Sequence, residues 1–308
     1  MLSLLAALLL PTPLKDLLGN VTSATSYRYN LKDADGRGMD CLEVSQAAGA
    51  RDYLGVYHSL EGGFFRLYVA QSKDLLDWRP RVKIDDRASQ GSLQQVGGKF
   101  LLAYEVDRTP GNFIRLRLYP SRAALEAGNH ERQVDLPAQL SQLAEGTPSF
   151  VSADVATGNI ALHFHFLSET GVDRTSEGTL TNWSNWKSKP RTDLNSALER
   201  VGARGNFGDR TPFTYRGKRY ELQEVQFGKY DWYSWRVFLH DLGAGTISRL
   251  VVRTHGGSNS FANPNVRFLT LPNGKPGLVQ TLFIPSEGSA PGEAGCLIFT
   301  KQLAAESS

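Results

Sequence analysis

Residues 146–166 read GTPSFVSADVATGNIALHFHF. A small opening, Gly146-Thr147-Pro148, leads into a short strand pattern, then a Gly-containing turn, then a strand rich in apolar and aromatic residues. Four other stretches repeat this order. They are MDCLEVSQAAGARDYLGVYHS from Met39, GSLQQVGGKFLLAYE from Gly91, DRTPFTYRGKRYELQEVQF from Asp209 and ANPNVRFLTLPNGKPGLVQTLF from Ala262. The openings fall near 40, 91, 147, 211 and 263, in steps of 51, 56, 64 and 52 residues. Further strand patterns follow within the units: FFRLYVAQSKDLLDW (Phe64–Trp78), NFIRLRLYPS (Asn112–Ser121) and DWYSWRVFLHDL (Asp231–Leu242). Four strands per repeat of about 50 residues is the spacing of a propeller blade. The sequence therefore predicts an all-β, five-bladed β-propeller over residues 26–308, with residues 1–25 as an N-terminal extension or signal segment. Helical periodicity is confined to Ser121–Ala127 and Asp193–Val201.

Composition agrees with this reading and excludes other classes. The 308 residues carry 41% hydrophobic and 21% charged side chains, a globular balance. Thirty Gly and 10% aromatics suit strands and turns. With 34 Lys+Arg against 31 Asp+Glu, a net charge of +3 offers no electrostatic footprint for nucleic acid. Two cysteines cannot staple a small disulfide scaffold, although Cys41 and Cys296 would tie the two ends of the chain together if paired; two buried free thiols are the alternative. Met1–Leu10, MLSLLAALLL, is about half of the roughly 20 residues a membrane span needs, and fits the apolar part of a signal peptide. The expectation is a secreted or periplasmic protein with no membrane partner. No phosphate loop, nucleophile elbow or C-x-x-C motif occurs.

Ser72-Lys73-Asp74-Leu75-Leu76-Asp77-Trp78 resembles the S-x-D-L-x-x-W signature that ends the first blade of five-bladed glycoside hydrolases, families 43, 32, 117 and relatives. The resemblance implies a carbohydrate substrate and carboxylates at three blade openings. The first position maps to Asp40, with Cys41 where a proline is usual. In the middle blade Thr147 stands at the carboxylate position, with Glu145 the nearest acid. In the fourth, Asp209-Arg210-Thr211-Pro212 places an Asp where a Glu would stand. Glycoside hydrolysis needs one carboxyl held protonated and one ionised, so Asp40, Glu145 and Asp209 are the catalytic candidates. Glu105 and Glu224, at the ends of the second and fourth hairpins, are reserves.

Arg204 and Arg210 flank a Gly-rich loop, and guanidinium forks suit carboxylates or sulfate-like anions. His163 and His165 alternate with Leu162, Phe164 and Phe166, which puts both imidazoles on one strand face. His58 ends the first hairpin in the same manner. His255 and Asn263 belong to a polar loop before the last opening and supply donors for sugar hydroxyls. Tyr230, Trp232, Tyr233 and Trp235 could stack on sugars or pack between blades. No cofactor or catalytic metal is expected, although the resemblance allows a structural ion in the channel. Two other readings stand beside hydrolysis: a propeller polysaccharide lyase using His163, His165, Arg204 and Arg210, and a sugar-binding propeller without turnover.

Overall fold

The computed structural model describes residues 14–303, so the expected signal segment at Met1–Leu10 lies outside them. The chain is a five-bladed β-propeller of five four-stranded antiparallel sheets. Blade 1 comprises β2 (Asp40–Ser45), β3 (Tyr53–Glu61), β4 (Phe64–Ser72) and β5 (Trp78–Asp86). Blade 2 comprises β6 (Ala88–Val96), β7 (Lys99–Val106), β8 (Phe113–Tyr119) and β9 (Arg132–Leu136). Blade 3 has β10 (Glu145–Asp154), β11 (Asn159–Leu167), β12 (Asp173–Thr181) and β13 (Asn185–Pro190). Blade 4 has β14 (Arg210–Tyr215), β15 (Lys218–Gln226), β16 (Trp235–Asp241) and β17 (Thr246–Leu250).

Blade 5 takes β18 (Ala262–Thr270), β19 (Pro276–Ile284) and β20 (Gly295–Gln302) from the end of the chain. Its fourth strand is β1 (Ser26–Arg28), which pairs antiparallel with β20 and closes the ring. Just before β1, α1 (Leu14–Gly19) buries Leu17 and Leu18 in the apolar cluster shared by blades 4 and 5. From Leu14 onward, the expected extension is thus packed into the fold. The two helices read from the sequence are α2 (Arg122–Glu126) and α3 (Thr192–Arg200).

The signature at Ser72–Trp78 is a structural turn. Ser72 Oγ accepts the Leu75 amide at 2.9 Å, and Asp74 Oδ1 accepts those of Leu76 and Asp77 at 2.9 and 2.8 Å. Leu75 can then hold its left-handed φ of 70°. Trp78 donates Nε1–H to the Leu75 carbonyl and lies buried against Gly55, where a Cβ would come within 2.7 Å of the ring. Cys41 and Cys296 are both free thiols.

Candidate active site

The inner strands β2, β6, β10 and β18 share one irregularity. Each steps its register over three residues, at Asp40/Glu43, Ser89/Ser92, Gly146/Ser149 and Ala262/Asn265. The second residue of each opening is left-handed: Cys41 at φ 53°, Gln90 at 53°, Thr147 at 51° and Asn263 at 47°. A non-glycine residue in this region costs about 1–2 kcal/mol. Neighbouring blades hold three of them in place. His58 Nδ1 accepts the Gln90 amide at 3.1 Å, Glu105 Oε2 accepts that of Thr147 at 3.1 Å, and Glu224 Oε2 accepts that of Asn263. The ends of three second strands, β3, β7 and β15, therefore clasp the opening of the next blade. This geometry also refines the mapping read from sequence: the residue equivalent to Thr147 in blade 1 is Cys41, and Asp40 lies one place earlier.

Blade 4 departs from the pattern, for β14 begins at Arg210 without a register step. The Asp209 amide instead donates to Glu224 Oε1 of its own blade, at 2.6 Å. Glu224 thus caps two blade openings at once. It is buried, Asp209 is half-buried, and burial with their mutual repulsion pushes the Glu224 carboxyl well above the usual range. Burial likewise raises Asp209, with the Arg210 charge opposing. Asp40 is half-buried, and burial pushes it up to about 6. The Cys41 thiol is held far above its ordinary range by burial and by the neighbouring Asp209, Asp40 and Glu224 carboxyls. Asn263 Nδ2 reaches Gln90 Oε1 at 3.3 Å, linking blades 5 and 2 across the axis. Buried beneath, Arg210 donates to the carbonyls of Thr147 and Gly208, and its Nε has no partner among the described residues.

The structure thus brings Asp40, Asp209, Arg210 and Asn263 to one mouth, and adds Cys41, Gln90 and Glu224. It places Glu145, Arg204, His255 and His163 elsewhere. Glu145 is buried, and its Oε1 accepts the amides of Gln139, Leu140 and Ser141, which anchors the loop before β10. Exposed Arg204 caps the end of α3 through the Glu199 carbonyl at 2.7 Å. His255 stacks on Tyr27 with centroids 4.2 Å apart and bonds the Tyr29 hydroxyl at 3.0 Å, near the outer strand β1. The alternation on β11 holds, but the two imidazoles have different partners along that face: His165 Nδ1 meets Thr147 Oγ1 at the blade 3 opening at 2.6 Å, while His163 Nδ1 meets Glu221 of blade 4 at 2.6 Å. The four residues implied for a lyase are therefore not assembled.

Trp235 is buried, whereas Tyr230, Trp232 and Tyr233 are 68%, 50% and 48% exposed. They lie in the loop between β15 and β16, which the strand directions put at the mouth end. Asn259 Nδ2 holds the Tyr233 hydroxyl at 3.0 Å, and Ser260 Oγ holds the Trp232 carbonyl at 2.6 Å. Among the described residues, no group of three or more His, Cys, Asp or Glu side chains is arranged to hold a metal ion. Nor is any described helix long and apolar enough to cross a membrane. Glu224 was legible only as a hairpin-end acid. Its signal is positional, because Glu224, Glu105, His58 and His165 occupy equivalent places on successive second strands.

No family model matches the chain, and no curated protein matches it in sequence. Solved structures match along nearly the whole length. A thermostable family-43 glycoside hydrolase is similar at TM-score 0.61 and 12% identity, over 91% of this chain and 94% of that one. An exo-1,5-α-L-arabinanase from a bovine ruminal metagenomic library is similar at 0.58 and 9% identity, over 90% and 97%. The Cellvibrio cellulosa α-L-arabinanase complexed with arabinohexaose is similar at 0.54 and 10%, over 86% and 90%. In fold, the chain resembles the five-bladed propeller glycoside hydrolases of family 43, from which it is far diverged in sequence.

Proposed function

We propose that the protein is a glycoside hydrolase acting on a poly- or oligosaccharide at the mouth of the propeller channel. What carries this reading is two unlike carboxyls at one mouth. Asp209, pushed well above the usual carboxylate range by burial beside Glu224, is the general acid. Asp40, which ionises at about 6, is the base or nucleophile. The Arg210 guanidinium lies behind Asp209 and moderates the acidity of the pair. Trp232 and Tyr233 offer exposed rings on which a sugar face can stack. The solved neighbours named above include enzymes described as arabinanases, which supports a glycan substrate.

One observation favours a second reading, a sugar-binding propeller without turnover. The left-handed opening positions carry Cys41, Gln90, Thr147 and Asn263, so none of these four equivalent positions is an acid. Assay of Asp209→Asn on a panel of arabinan, xylan and galactan oligosaccharides separates the two readings. Hydrolysis requires the parent to release reducing ends and the variant to lose this while unfolding near the parent's temperature. Saturable binding without product by the parent would select the binding reading. Full turnover by the variant would overturn the site assignment.

A further inference from the structure

The boundary between blades 3 and 4 is unlike the other four. Apolar clusters bridge blades 1 and 2, blades 2 and 3, blades 4 and 5, and blades 5 and 1. Between blades 3 and 4, the cluster among the described residues is that of α3 with Phe207, Val225 and Phe238. The remainder of this boundary is polar. His163 Nδ1 of β11 meets Glu221 Oε2 of β15 at 2.6 Å, and Arg191 Nη1 donates to Glu221 Oε1 at 2.7 Å. Glu221 is fully buried, and although burial opposes its ionisation, the His163 hydrogen bond and the Arg191 charge outweigh this and hold it down to about 2. Gln223 lies two residues along the same face of β15, and Thr175 pairs with His165 on the facing sheet. Both are fully buried, yet Gln223 Oε1 and Thr175 Oγ1 have no partner among the described residues.

This polar seam does not close. His163 lies where two clefts of about 480 and 410 Å³ meet, and its Nε2 has no hydrogen bond among the described residues. The clefts sit at the ends of β10 and β14 remote from the blade openings. They join there a third hollow of about 580 Å³ on the axis, through Val151 and Phe213. Lys187 lines one arm and Arg219 the other, while Lys189 is committed to Glu177 at 3.1 Å. Tyr220 and Phe213 give the second arm aromatic surface, and Ser152 and Ser188 give hydroxyls.

We infer that this inter-blade cleft is a second ligand site, separate from the channel mouth, for a small acidic saccharide of the uronate class. Arg191 already balances the Glu221 charge. His163 donates Nδ1–H to the Glu221 carboxylate and turns Nε2 to the cleft, where it can bond a sugar hydroxyl. Lys187 and Arg219, one on each arm, supply the positive charge that meets the carboxylate. The hydroxyls and rings match the rest of a sugar, and the volume suits one or two rings.

The test is a titration of the full chain, labelled with ¹⁵N-histidine, followed by NMR of the imidazole nitrogens. His163→Gln identifies the resonance. D-glucuronate should shift the His163 Nε2 signal saturably, glucose should leave it unmoved, and inorganic sulfate should bind at least tenfold more weakly. Lys187→Met and Arg219→Met should each weaken glucuronate binding at least fivefold. Asp209→Asn, at the mouth, should bind as the parent does, so failure of the hydrolase reading and failure of this one are distinguishable. The inference is overturned if glucuronate gives no saturable shift or if glucose matches it. It is equally overturned if sulfate binds as tightly as glucuronate or if both cationic variants bind like the parent.

Discussion

Replacing Asp40 by Asn puts the electrostatics of the mouth to a quantitative test. The Asp40 carboxyl is half-buried and ionises at about 6 rather than at the ordinary 3.8, because burial disfavours its charge. A carboxyl raised on folding contributes stability that is fully present below 3.8 and is lost as pH rises through about 6. At about 1.4 kcal/mol per pH unit, the step from 3.8 to about 6 amounts to about 3 kcal/mol. Solvent reaching the half-buried group trims this to about 2 kcal/mol. The amide keeps the shape but never ionises, so relative to the parent the variant gains about 2 kcal/mol between pH 4 and pH 8. Any packing cost of the amide is common to both pH values and cancels. Urea unfolding of both proteins at the two pH values measures the difference. Under the proposed function, loss of the Asp40 carboxylate also lowers turnover by about 10²–10⁴-fold. An offset that is the same at pH 4 and pH 8 would refute the argument that Asp40 is charged against its surroundings. Undiminished turnover would remove it from the chemistry.

Three structural predictions follow from the blade geometry. Glu105→Ala leaves the amide of buried Thr147 and the Asn112 side chain without their acceptor, and should cost about 1–3 kcal/mol in unfolding free energy. Gly55→Ala sets a Cβ 2.7 Å from both Leu42 and the Trp78 ring, so it should lower stability by about 1–3 kcal/mol and alter Trp78 fluorescence. Arg191→Met strands the buried Glu221 charge and should cost about 3–5 kcal/mol. Adding Glu221→Gln should recover part of that loss, which thermal unfolding of the single and double variants would report.

The architecture was legible because it repeats. Five hairpins with Gly turns gave blade count and spacing, and the Ser72–Trp78 turn gave the end of blade 1. Ring closure was not legible, since Ser26–Arg28 is a three-residue strand with no periodicity of its own. Its place is fixed by pairing with β20, far away in sequence. At the site, Asp40, Asp209, Arg210 and Asn263 could be found because they open blades. Glu145 misled because an acid beside an opening reads the same whether it faces the channel or, as here, caps a loop with three amide bonds. The His163–Glu221–Arg191 seam was hidden for a different reason. Its members come from three strand regions, and only the packing of two blades brings them together.

The clasps explain why polar chemistry concentrates where it does. Three left-handed openings have their amides taken by the preceding or neighbouring blade, at Gln90, Thr147 and Asn263. Those carboxylates and imidazoles are engaged in holding the ring together. The pattern fails at two places. Before blade 1 the equivalent position of β19 is Phe283, which cannot accept a hydrogen bond, so Cys41 opens its blade without a clasp from that residue. Before blade 4, His165 has turned to Thr147, and Glu224 must cap Asp209 from within its own blade. Blades 1 and 4 thus supply the acids whose protonation is least spent on structure, Asp40 and Asp209. A chain repaired before blade 1, by Phe283→Glu, should clasp the Cys41 amide, gain stability and lose turnover. If that variant kept its turnover, the departure from the repeat at blade 1 would be incidental to the site.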